Sequence, residues 1–129
     1  MKLSYEDHDA ITVLRVSGEL TADQVDSFRR SCQDRINAGI RNIVLDMEHM
    51  TLIDSAGLEF LLWLSEEIAS PSSGAMAANP YVSSSYGSSS GQLRLVKPDE
   101  TVRRILYVTR LDKRFDIFDT IEAAARSLR

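Results

Sequence analysis

The chain has 129 residues, enough for one domain with a full hydrophobic core. Hydrophobic residues make up 43% and charged residues 26%, ordinary globular usage that excludes wholesale disorder. A formal net charge of −4, with a pI near 5.1, argues against a binder of nucleic acid or of anionic membrane, because such affinity depends on Lys and Arg.

No apolar run follows a basic N-terminal region, and no stretch of 18 apolar residues occurs, so neither a secretory signal nor a membrane span is expected. Cys32 is the one cysteine and can form no internal disulfide; cytoplasmic residence is the expectation.

Leu3–His8 reads as a short edge strand and Ile11–Val16 as its hairpin partner, with Asp9-Ala10 as the turn. Gly18-Glu19-Leu20 leaves the second strand. Thr21 is placed to cap a helix from about Ala22 to Ala38, with Gln24 three residues on as in a capping box, and Gly39 stops it. Val25, Phe28, Cys32 and Ile36 fall on one stripe of that helix. Cys32 therefore reads as a small core thiol, the other reading being a reactive or metal-binding cysteine.

Ile43-Val44-Leu45 is an unbroken apolar run that suits a strand covered on both faces, ending near Met47. A polar turn then carries Asp54-Ser55-Ala56-Gly57, and an apolar helix follows at once, to about Ala69. Ser55 stands where an N-cap belongs, beside free backbone N–H groups. A serine cap needs no further role. Equally, a phosphate on it would meet the positive end of the helix dipole, as a switch requires. On the helical wheel Leu58, Phe60, Leu61, Leu62, Leu64 and Ile68 share one arc. Trp63 projects instead between Glu59 and Glu67, either covered by another part of the chain or offered to a partner.

Ser70–Gly91 contains nine Ser, three Gly, two Pro and no charged residue, the composition of a flexible loop or insertion. Tyr81, Val82 and Tyr86 are its large side chains and the candidates to anchor it, with Trp63 as the candidate contact. Gln92–Val96 is a strand, and Pro98-Asp99-Glu100 opens a helix whose inner face carries Val102, Ile105, Leu106 and Thr109. Phe115–Phe118 reads as the last strand. Asp119 or Thr120 caps a terminal helix, Ile121–Leu128. After the opening hairpin, strands and helices alternate, which points to a parallel or mixed sheet with helices packed on it, in a single domain over 1–129.

Neither common phosphate-binding loop is present, and Ser55 lacks the G-x-S-x-G elbow of hydrolases. His49 lies six residues before Ser55, but a nucleophile needs a base and an oxyanion site together. A metal site from Asp46, Glu48, His49 and Asp54 is a weak candidate, since acids around a turn are commonly caps. No catalytic residue, metal or cofactor is expected.

Taken together, VSGELT at Val16–Thr21, IVLDM at Ile43–Met47 and LIDSAGLEFLL at Leu52–Leu62 resemble the STAS family, the anti-sigma-factor-antagonist domains of bacteria, and Leu93–Ala124 resembles that family's C-terminal half. The resemblance implies an α/β fold of the STAS-like (SpoIIAA-like) type, a mixed four- or five-stranded sheet with helices mainly on one face. It implies a non-enzymatic regulator of sigma-factor-dependent transcription, with Ser55 as the phosphorylated residue. It implies two partners, an anti-sigma factor with serine kinase activity and a phosphoserine phosphatase, and no direct nucleic-acid or membrane contact. A monomer or weak homodimer is expected. The expected partner-binding surface comprises Gly18, Glu19, Leu20, Thr21, Asp54, Ser55, Ala56, Gly57, Glu59 and Trp63. The alternative within the family is a docking subunit of a stressosome or of a lipid-transport ABC complex.

Overall fold

A computed structural model describes residues 2–8, 10–69 and 91–128. The serine-rich segment, apart from Gly91, lies outside the described residues, and so do the expected anchors Tyr81, Val82 and Tyr86. Five strands form one sheet in the order β1-β2-β3-β4-β5: Lys2–His8, Ile11–Leu20, Asn42–Ile53, Leu93–Val96 and Asp116–Phe118. β1 pairs antiparallel with β2, and every later neighbour is parallel. The helices are α1 (Ala22–Asn37), α2 (Ser55–Ala69), α3 (Glu100–Val108), the four-residue α4 (Leu111–Arg114) and α5 (Ile121–Ser127). The mixed five-stranded sheet expected from the resemblance is the observed architecture.

Alternation along β3 and β4 separates two cores. Ile43, Leu45, Met47, Leu93 and Leu95 face the main core with α1, α2 and α3, whereas Val44 and Val96 face the smaller core under α5. Val25, Phe28, Cys32 and Ile36 are all buried, as the stripe requires. Phe28 meets Phe60 of α2 with ring centroids 4.4 Å apart, and both are fully buried. Each contributes about 1.5–3 kcal/mol on burial. Desolvation pushes the Cys32 thiol up to about 12, so it is an inert core group.

Three points need correction. β3 does not end near Met47 but runs to Ile53. Its pairing with β2 shifts register twice, between Arg15 and Ser17 and between Gly18 and Glu19, each shift adding a residue on β3. These bulges bury Met47, Met50 and Ile53 at intervals of three, which conceals the period of two. The α4 turn between α3 and β5 was not anticipated. Thr109 is exposed, bonding back to the Ile105 carbonyl as the chain leaves α3, instead of joining the inner face. Of the two readings left open for Trp63, cover from within the chain is observed: it packs in part against the main core, its ring lies 5.6 Å from Phe60 and the Arg29 guanidinium of α1 sits 5.1 Å from its centroid. A cation over the indole face lets a polar-side tryptophan be covered from within the chain.

Candidate functional site

The ends of β2 and β3 deliver two helix N-termini side by side. Gly18, with φ of 97°, makes the bulge that turns the end of β2, and Leu20 goes fully into the core. The Asp54 N–H donates to the Leu20 carbonyl at 3.3 Å, fixing the start of α2 against the start of α1.

Asp54, not Ser55, is the N-cap of α2. Its Oδ1 accepts from the Gly57 N–H at 2.9 Å, and its backbone carbonyl accepts from the Leu58 N–H at 2.9 Å. Its Oδ2 accepts from the Ala22 N–H at 3.0 Å, the first amide of α1. One carboxylate thus holds the positive ends of both helices. The expected capping box is absent for the same reason: the Thr21 side chain makes no cap bond, while its carbonyl accepts from Gln24 and Val25 N–H. Aspartate caps as well as serine, and Asp54-x-x-Gly57 puts the Gly57 amide within its reach; that spacing was the signal available in the sequence.

Gly57 is buried. A Cβ there would lie 2.5 Å from the Leu20 carbonyl oxygen and 2.7 Å from Ile53 Cγ1. Leu20 and Gly57, expected as contact residues, therefore support the site from beneath and offer a partner no side chain. Ser55, by contrast, is exposed on the first turn of α2, with Glu19 and Glu59 exposed and Gly18, Thr21, Asp54 and Ala56 half-buried. Leu52 at the end of β3 is 37% exposed, an apolar element that sequence reasoning omitted because it expected a polar turn there. Trp63, two turns along α2, is packed toward α1 and is not part of this corner.

The other candidates disperse. His49 sits 3.7 Å from Glu48, and the Arg15 Nε approaches the buried Asp46 at 3.5 Å. Among the described residues no three His, Cys, Asp or Glu side chains converge as a metal site would need.

Bonds from the Gly57 and Ala22 amides hold the Asp54 carboxyl below its ordinary value of 3.8. Stability from this clamp is therefore complete above that value and is lost as the pH falls through the lower folded-state value. Comparing acid unfolding of the natural chain with Asp54→Asn should show a shallower acid loss in the variant, which keeps one acceptor but carries no titrating charge. Parallel acid curves would mean that the clamp does not couple to protonation.

The structure is thus a parallel α/β sheet with one antiparallel edge strand, in which the helix start that carries Ser55 lies beside the turn from β2 into α1. A family profile for the STAS domain matches residues 2–73, more than half of the chain, and the chain belongs to that family. A relative from Thermotoga maritima, provisionally assigned as an anti-sigma factor antagonist, is 28% identical over 126 residues, covering 97% of this chain and 96% of its own. A crystal structure of a T. maritima protein with the same provisional assignment is 27% identical, with a TM-score of 0.78 over 98% of this chain and 94% of that one. The unphosphorylated form of the anti-sigma factor antagonist SpoIIAA shares the fold, with 20% identity and a TM-score of 0.63 over 98% and 96% of the two chains.

Proposed function

We propose that this domain is an anti-sigma factor antagonist: a binding module, not an enzyme, that docks through the Gly18–Thr21 and Asp54–Glu59 corner and is switched off by a phosphate on Ser55. The observation that carries this reading is the exposure of Ser55 on the first turn of α2, on a corner that the Asp54 clamp holds rigid. A kinase can reach the hydroxyl, and a partner meets a preorganised surface whose ordering cost is already met by the fold. Leu52, half-exposed beside the corner, adds apolar contact area. The names of the T. maritima relatives support an anti-sigma factor as the partner. The finer assignments are that this partner is itself the serine kinase, that a separate phosphatase restores Ser55, and that both act in the cytoplasm.

The phosphate would carry about −1.5 to −2 charges at neutral pH. It would stand beside the Asp54 carboxylate, whose two oxygens already occupy the Gly57 and Ala22 amides. The helix end is therefore largely neutralised before modification, and the added charge is presented outward to the partner. Incubating the purified domain with ATP and its cognate anti-sigma factor, then mapping the product by mass spectrometry, tests this. One phosphate on Ser55, absent from Ser55→Ala, is the expected result. Phosphate confined to other residues would overturn the reading.

A further inference from the structure

A second surface stands out at the other end of the helices. α3 buries Val102 and Leu106, yet Tyr107 and Val108 at its C-terminal end point outward, 63% and 76% exposed. Exposed apolar side chains are ordinary when scattered; adjacent ones rimmed by charge mark contact surfaces. Here they border an open recess of about 470 Å³, completed by Arg110, Asp112 and Lys113. Between Arg103 and Arg114 the chain carries five cations and one carboxylate, in a protein whose formal net charge is −4. Arg104 and Arg114 have ion-pair partners in Glu100 and Glu66. Arg103, Arg110 and Lys113 make no ion pair among the described residues.

Arg110 adds an independent point. It adopts φ of 64° and ψ of 15° at the α3–α4 turn, a left-handed conformation that glycine or asparagine would take at lower cost. An arginine held there, exposed and unpaired, gives up local backbone energy for a guanidinium at the rim of the recess.

We propose that the Tyr107–Val108 corner, flanked by Arg103, Arg110 and Lys113, is a docking surface for an acidic segment of a partner protein. An apolar side chain of that segment enters the recess, and its neighbouring carboxylates meet the cations. Tyr and Arg are the residue types that most often dominate such contacts. The surface is separate from Ser55: Arg114 contacts Glu66, and Glu66 lies eleven residues along α2 from Ser55, about 16 Å at the helical rise. Both surfaces can therefore be occupied at once, and this inference stands whether or not Ser55 is modified.

The test is an amide-resolved NMR titration of the full chain with a synthetic peptide alternating glutamate and leucine. The same peptide with glutamine for glutamate, a single-stranded DNA oligomer and phosphatidylglycerol vesicles run in parallel. Saturable shifts at residues 103–114, weakened by salt, with the Ser55 turn unmoved, are the expected result. Tyr107→Ala and the pair Arg110→Ser and Lys113→Ser should each weaken binding about tenfold while leaving the amide spectrum of α1 and β3 unchanged. No saturation by the acidic peptide, equal binding of the glutamine peptide, or tighter binding of DNA or vesicles at these residues would overturn the proposal. So would self-association through this face without peptide, which would assign it to a second copy of the chain.

Discussion

Gly57→Ala should lower the melting temperature by roughly 6–12 °C, a loss of about 2–3 kcal/mol for a domain of this size. The new methyl group would lie 2.5 Å from the Leu20 carbonyl oxygen, and backbone cannot rotate away as a long side chain can. Its second neighbour, Ile53 Cγ1 at 2.7 Å, belongs to a residue that is itself buried. Relief requires the first turn of α2 to move off β2. That motion pulls Asp54 from the Leu20 carbonyl and stretches the bond to the Ala22 amide, so one methyl group disturbs both helix starts. The variant should also bind its partner less well than its residual folded fraction predicts, because the corner is displaced as well as destabilised. A melting temperature within about 2 °C of the natural chain would show that the turn yields freely.

The sequence made the architecture readable where one signal dominated. The α1 stripe of Val25, Phe28, Cys32 and Ile36 has a single period and no competing interpretation, and all four are buried. The alternation of strand and helix after the hairpin likewise left few topologies open, and the observed order is the simplest of them. The features that local sequence conceals depend on contacts distant in the chain. Thr21 and Ser55 each satisfy the local rule for a cap, yet Asp54 supplies a side-chain bond at both helix starts, because β2 and β3 end side by side and bring Ala22 within 3.0 Å of it. Local propensity cannot register an acceptor 32 residues away. The β3 bulges hid a strand in the same way, since their extra residues are defined only against β2.

The cap assignment also decides how a Ser55 experiment must be read. Were Ser55 the N-cap, Ser55→Ala would cost about 0.5–2 kcal/mol, and any change in binding would be mixed with unfolding. At the first helical position, exposed and with no hydrogen bond to its hydroxyl among the described residues, the substitution should leave stability within about 0.5 kcal/mol. Its effect on affinity then reports the surface alone.

Ser55→Ala is accordingly expected to bind the anti-sigma factor as tightly as the natural chain, and Ser55→Asp about a hundredfold more weakly, near 2.8 kcal/mol by calorimetric titration. The new carboxylate stands next to Asp54 and one turn before Glu59, so no cation on its own helix face relieves it. Some 0.3–1 kcal/mol of dipole stabilisation is the most the free domain can gain from it, and Asp54 has already taken much of that. Docking then requires the charge to be desolvated against the partner, which can cost several kcal/mol and so outweighs the gain. Ionic strength separates the two ways this can happen. If the partner presents carboxylates, the gap between the variants should narrow as salt rises, because partly exposed charges are screened within about 8 Å at physiological strength. If it presents a close apolar contact, the gap should persist, since desolvation is insensitive to salt. Equal affinities for the two variants at every ionic strength would leave Ser55 with no role in switching.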